Sequence, residues 1–135
     1  ASPEESALYF WEAEEKGGEV VPMTASMLRM LLERSEARLV YLSCCSGSTT
    51  GHPQALLEDD FLGLADAAVH AGIPSVLGYR WPVNDQGACE LGLAFYQSLL
   101  EQGNPEIALW RARRELATAD RNDPTWMSPI LIHQC

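Results

Sequence analysis

Two adjacent cysteines, Cys44 and Cys45, close a continuous apolar run, Arg38-Leu-Val-Tyr-Leu-Ser-Cys-Cys45, and a loop-like stretch from Ser46 to Pro53 follows them. A thiol at the end of a buried strand suits nucleophilic attack on a carbonyl carbon. A Ser/Gly loop after it, opening with Ser46 and Gly47, leaves backbone N–H groups free to face a developing oxyanion. Strand side chains alternate, so the two cysteines point to opposite sides and only one of them faces a crevice. The commoner use of a single such cysteine is as a small buried hydrophobe. A second segment of interest is Gly78-Tyr-Arg-Trp-Pro-Val-Asn-Asp85, which follows another apolar run. In open α/β sheets, functional groups collect beyond the carboxyl ends of the strands, where both segments would lie.

The pattern of elements predicts such a sheet. Ser6 to Trp11 reads as a short aromatic strand, and Lys16 to Glu19 as a turn. Thr24 caps a helix that runs to about Ser35, with Met27, Leu28, Leu31 and Leu32 at helical spacing. Arg38 to Cys45 has no polar alternation, as expected for a strand covered on both faces. Asp59 or Asp60 opens the next helix and Gly72 ends it; Ile73 to Tyr79 is a strand. Asn84 and Asp85 start a helix closed by Gly103. Asn104-Pro105 starts another that reaches about Ala119, and Trp126 to His133 holds a last strand. This alternation predicts one α/β domain, or most of one, with a mostly parallel sheet.

The composition narrows the function classes. The chain has 135 residues, 47% of them hydrophobic, which suffices for a core and argues against disorder. No run of about 18 uncharged apolar residues exists, so no membrane span is expected. The net charge is −10, which gives no electrostatic footprint for nucleic acid. Residues 1–19 carry six carboxylates and Lys16, half of that net charge; Lys16 is the only lysine, beside eight arginines. The four cysteines, Cys44, Cys45, Cys89 and Cys135, form neither a disulfide framework nor a CxxC pair. No metal or cofactor is expected, and a reducing, cytoplasmic compartment fits. The first residue is Ala1 rather than Met, which reads as part of something larger.

Several blocks together resemble the C-terminal two-thirds of a CHAT domain, a caspase-like cysteine peptidase module often joined to TPR repeats. Met23-Thr24-Ala25-Ser26-Met27-Leu28 is similar to the family's "LTA..L" helix start. Leu39-Val40-Tyr41-Leu42-Ser43-Cys44-Cys45 is similar to its "LVVLSAC" strand. Gly63-Leu64-Ala65, Ala71-Gly72 and Ser75-Val76 resemble its "GLA…AG..SV" segment, and Trp81-Pro82-Val83-Asn84-Asp85 its "WPVDD" element. Ser6-Ala7-Leu8 resembles the strand after its histidine motif; Phe95-Tyr96, Ala108-Leu109 and Ala112 match its later helices.

The resemblance implies a caspase-like three-layer sandwich that hydrolyses peptide bonds through a Cys/His dyad, with a polypeptide substrate and TPR repeats or a regulatory protein as partner. A gapless match puts the nucleophile on Cys45, followed by Ser46-Gly47. The Cys-x-Ser/Thr-Gly spacing of many members would choose Cys44, so Cys45 is preferred and Cys44 stays open. The family's histidine, in an "HG" motif, extrapolates to just before Ala1. His52 in the loop is a weaker substitute; His70 suits a helix end and His133 a structural place. Relatives hold a basic substrate side chain with acidic residues, which points to Asp60 and Asp85, although each also suits a helix start. Trp81 could wall a groove or fill the core. Arg111, Arg113 and Arg114 could dock a partner, or simply form a solvated helix face.

Two other functions stay in competition. Without its histidine the domain could be a non-catalytic scaffold or sensor. Gly47-Ser48-Thr49-Thr50-Gly51 could bind phosphate, but no GxxxxGK(S/T) motif or nearby lysine supports it.

Overall fold

Strand β4, Ser75–Tyr79, has no residue with more than slight exposure, and Val76 and Leu77 have none at all. Such a strand has to be covered on both faces. The computed structural model describes residues 7–11, 20–43 and 59–134, and β4 is the middle of its main sheet. β3, Leu39–Tyr41, runs parallel to β4 on one side, with Leu39 opposite Ser75 and Tyr41 opposite Leu77. β5, Pro129–His133, runs antiparallel on the other side, with Tyr79 opposite Pro129 and Ser75 opposite His133. A separate antiparallel pair joins β1, Ala7–Trp11, to β2, Val20–Thr24.

Four helices among the described residues cover the main sheet. Strand alternation sorts the side chains into two cores. Val40, Leu42, Val76 and Ile132 pack with Leu28 and Leu32 of α1, Ala25–Leu32, and with Leu64, Ala65 and Ala68 of α2, Asp59–His70. Leu39, Tyr41, Leu77, Tyr79 and Leu131 pack with Leu91, Ala94 and Phe95 of α3, Asp85–Gln102, and with Ala108, Leu109 and Ala112 of α4, Pro105–Ala119. The architecture is therefore mixed α/β, with helix pairs packed on opposite faces of a three-stranded sheet.

Local signals fix the helix ends. The Thr24 hydroxyl accepts from Met27 N–H at 3.3 Å, and the Asn84 side chain accepts from Gly87 N–H at 2.7 Å. Asn104 accepts from Glu106 and Ile107, with Pro105 first in the helix. Gly103 closes α3 in the left-handed region at φ 65°, where a side chain would be strained.

Three expectations change. In the main sheet one pairing is parallel and the other antiparallel, and the β1–β2 pair apart from it is antiparallel, so the sheet is mixed rather than mostly parallel. The connections explain this. α2, the one described helix between β3 and β4, returns the chain to the start of the sheet, which makes β3 and β4 parallel. The α3–α4 hairpin goes out and back, so β5 enters from the end β4 left. β2 is a strand the sequence reading did not include; its Pro22 is tolerated because, among the described residues, β2 pairs on one side only. Trp126 and Met127 lie in a 3-10 turn, Pro124–Met127, and the last strand begins only at Pro129.

Gly78 is required by packing. A Cβ there would sit 2.0 Å from the Phe61 ring of α2. Gly78→Ala should therefore lower stability by about 1–3 kcal/mol, as overpacking does. Chemical denaturation should show an earlier midpoint at unchanged slope.

Candidate functional site

The carboxyl ends of β3 and β4 lie side by side because the strands are parallel and in register. Leu42 extends the ladder: its N–H donates to Leu77 O at 2.8 Å, and its side chain is buried. Ser43 is exposed, and the chain then passes into residues 44–58. Cys44, Cys45, Ser46, Gly47 and His52 lie outside the described residues. The strand that leads into them does not. Behind it, the Tyr41 and Tyr79 hydroxyls meet at 2.6 Å, and the Tyr41 ring packs against Phe95 and Tyr96, each with centroids 5.8 Å away. A Cβ at Gly92 of α3 would meet the Tyr41 ring at 3.9 Å, an ordinary contact, so α3 lies directly over that ring.

The segment after β4 is held by Ser128, which is fully buried. Arg80 N–H donates to Ser128 O at 2.8 Å. The Ser128 hydroxyl donates to Trp81 O at 2.8 Å and accepts from Trp81 N–H at 3.3 Å. This clamp fixes the half-buried Trp81 beside the start of β5. Asn84, not Asp85, caps α3; Asp85 is exposed in its first turn, with its carboxylate at the positive end of the helix. The backbone of Asp60 is in the first turn of α2; its side chain lies outside the described residues. Trp81 and Asp85 thus share the segment beyond β4.

The 3-10 turn packs against the start of α3, where Gly87 lets Thr125 approach; a Cβ there would be 2.6 Å from the Thr125 hydroxyl. Asp123 holds that turn, accepting from Thr125 Oγ1 at 2.6 Å and Thr125 N–H at 2.8 Å. These two bonds keep the Asp123 carboxyl below its ordinary value, the hydroxyl contributing most.

The described histidines are at the other end. His133 is opposite Ser75, four residues before the end of β4, a distance of about 13 Å along a strand. Its Nδ1 lies 2.8 Å from Ser75 Oγ. His70 ends α2, with Nδ1 2.9 Å from Asp66 O and 3.2 Å from its carboxylate. The α2 crossover returns the chain to the start of β4, so neither histidine stands beside the rim formed by residues 80–85. Among the described residues, no three His, Cys, Asp or Glu side chains converge as a metal set would, and no helix is long and apolar enough to cross a membrane. Cys89 is an exposed free thiol on α3.

One comparison with known families decides what the domain is: the family model described as "CHAT domain" matches residues 1–133. The chain belongs to the CHAT domain family. No curated protein and no solved structure matches it significantly. In this CHAT domain, the block Leu39–Ser43 forms β3 and its extension, and Trp81–Asp85 forms the rim beside it. Sequence reasoning missed Ser128, whose partners are 47 residues away and carry no spacing signal. It also took Arg113 for part of a solvated face. Arg111 and Arg114 are exposed, but Arg113 is half-buried and donates to Pro129 O.

Two outcomes follow. Ser128→Ala removes both bonds to Trp81 from a buried place and should cost about 1–3 kcal/mol, with Trp81 fluorescence reporting the loosened segment. Asp123 titrates lower folded than unfolded. Its stabilisation is therefore full above the unfolded value of about 3.9 and is lost as pH falls through the folded value. Acid titration of Asp123→Asn should lack this increment at neutral pH and show a correspondingly shallower loss below about pH 4.

Proposed function

We propose that this CHAT domain carries the nucleophile of a caspase-like cysteine endopeptidase with the three-layer sandwich of that class. The observation that carries the reading is the parallel register of β3 and β4. It sets the strand leading into Cys44 and Cys45 next to the rim of Trp81 and Asp85. In this reading Cys45, or Cys44 in the alternative register, attacks the scissile carbonyl as a thiolate. N–H groups around Ser46 and Gly47 hold the tetrahedral oxygen. An imidazolium gives its proton to the departing amine, leaving a thioester that water then hydrolyses.

Trp81 would wall the groove, and Asp85 and Asp60 would receive a basic side chain. Asp85 is exposed and so available for this. The imidazole would be that of the family's "HG" motif, which extrapolates to just before Ala1. TPR repeats or a regulatory protein would control access.

A non-catalytic scaffold is the second reading. It is favoured by one observation: His70 and His133 are both at the far end of the sheet.

A peptide-based electrophile applied to the intact protein should label one of Cys44 and Cys45. The Cys89 thiol is exposed, so a Cys89→Ala background removes non-specific labelling. Ala at the labelled cysteine should reduce peptide cleavage by at least about 10³-fold, the scale on which catalysis loses a nucleophile. Cleavage that survives the double change would end the endopeptidase reading. An encoded sequence before Ala1 with no histidine motif, together with no cleavage, would favour the scaffold.

A further inference from the structure

Helix α3 is apolar on two sides. Leu91, Ala94 and Phe95 are buried in the core. The opposite side carries Cys89, Leu93, Tyr96 and Leu100, all exposed. At 3.6 residues per turn these four lie within about 40° of the direction opposite the buried set. Leu100 and Leu93, at 87% and 67%, are the two most exposed large apolar side chains among the described residues. A surface helix ordinarily turns polar residues outward, so this stripe marks a contact face. Its aromatic member is held in place: the Tyr96 ring packs against Tyr41 and Phe95, with centroids 5.8 and 5.4 Å away, and leaves 45% of the residue exposed. A fixed, half-exposed aromatic side chain is a good anchor, because little freedom is lost when it is covered.

The stripe is also clear of charge. The carboxylates of α3 are Asp85, Glu90 and Glu101. Glu90 accepts from Gln86 at 2.9 Å, Glu101 lies 3.7 Å from the Arg111 guanidinium, and Asp85 stands in the first turn, ahead of the stripe. Gln86, Gly92 and Gln97 flank the apolar residues. Copies of a chain with net charge −10 repel each other, and an uncharged stripe is where two of them can touch. A strongly charged partner finds nothing there to pair with.

Spacing sets the direction. The steps from Cys89 to Leu100 are four, three and four residues, the same from either end. A second α3 running antiparallel, about a two-fold axis between Leu93 and Tyr96, meets the first in register. Leu93 then faces the partner's Tyr96, and Cys89 faces the partner's Leu100. Antiparallel packing also opposes the two helix dipoles and keeps the Asp85 carboxylates at opposite ends, where a parallel pair would set them side by side.

We propose that the protein forms a two-fold dimer through the outer face of α3, with a second copy of this chain as the partner. The rim of Trp81 and Asp85 stands at the start of α3, so the antiparallel pair holds its two rims on the order of 30 Å apart along the helix axis, both open. The dimer does not depend on the endopeptidase reading.

The intact protein is followed by sedimentation equilibrium over a range of concentrations, beside Leu93→Glu and Leu100→Glu. Both leucines are exposed, so these changes leave the core intact, and circular dichroism verifies the helices. The unaltered protein should dimerise. Either change, counted twice in a symmetric pair, should raise the dissociation constant at least about 100-fold, as an unpaired charge in a desolvated contact does. For direction, Cys44, Cys45 and Cys135 are changed to Ala, and disulfide formation is followed with Cys89 alone and with Cys89 plus Leu100→Cys. The antiparallel pair should cross-link only with the second thiol, since a disulfide needs Cα atoms within about 7 Å.

A protein that stays monomeric up to roughly 0.1 mM overturns the proposal. So does a dimer indifferent to both Leu93→Glu and Leu100→Glu, or one that cross-links through Cys89 alone. In the monomeric case, maleimide labelling of Cys89 names the other occupant. Slow labelling that Leu100→Glu accelerates assigns the stripe to another segment of this chain, and fast labelling leaves it to a different protein. Association and peptide cleavage are read separately, so loss of either leaves the other standing.

Discussion

Burial of β4 on both faces is the constraint that arranges the rest of the described structure. Its backbone groups need partners on both edges, because an unpaired buried N–H or C=O is costly. β3 supplies one edge and β5 the other. Its side chains need apolar cover above and below. The α1–α2 pair supplies one layer and the α3–α4 pair the other. Gly78 shows how little slack remains, since the Phe61 ring occupies the volume where a Cβ would be.

That constraint also produces the rim. A strand satisfied on both edges must end where its neighbours no longer pair. Beyond Tyr79 the chain leaves the sheet while Leu42 still bonds to Leu77 on one side and Pro129 lies opposite Tyr79 on the other. The backbone groups of Arg80 and Trp81 would be orphaned at that point. Ser128 takes them up with one carbonyl and one hydroxyl. The rim is therefore held by the same demand for hydrogen-bond partners that holds the sheet. The segment it fixes lies within the residues that the CHAT family model matches.

Charge is distributed unevenly over this frame. The ion pairs among the described residues lie on exposed helix faces and contribute little to stability. Among the described residues Arg80 and Arg113 make no ion pair; the Arg80 backbone N–H and the Arg113 guanidinium donate to the consecutive carbonyls of Ser128 and Pro129.

The sequence by itself determined the helices and the cover of the central strand. Thr24, Asn84, Asn104-Pro105 and Gly103 act within a few residues of themselves, so their roles are written locally. The apolar runs at Leu39–Leu42 and Ser75–Tyr79 likewise announce strands between helices, although β3 is only half-buried where β4 is buried throughout. Of the candidate site, the order of the blocks and the rim segment Trp81–Asp85 were legible, whereas the cap role fell to Asn84 and left Asp85 exposed. Tertiary structure alone decided the direction of β5, the clamp of Ser128 on Trp81 and the seat of Arg113. The antiparallel β5 follows from a two-helix connection, whose out-and-back path no local signal records. The other two depend on hydrogen bonds between residues 16 and 47 positions apart, and such partners are chosen by where packing brings the chain, not by its neighbours in sequence.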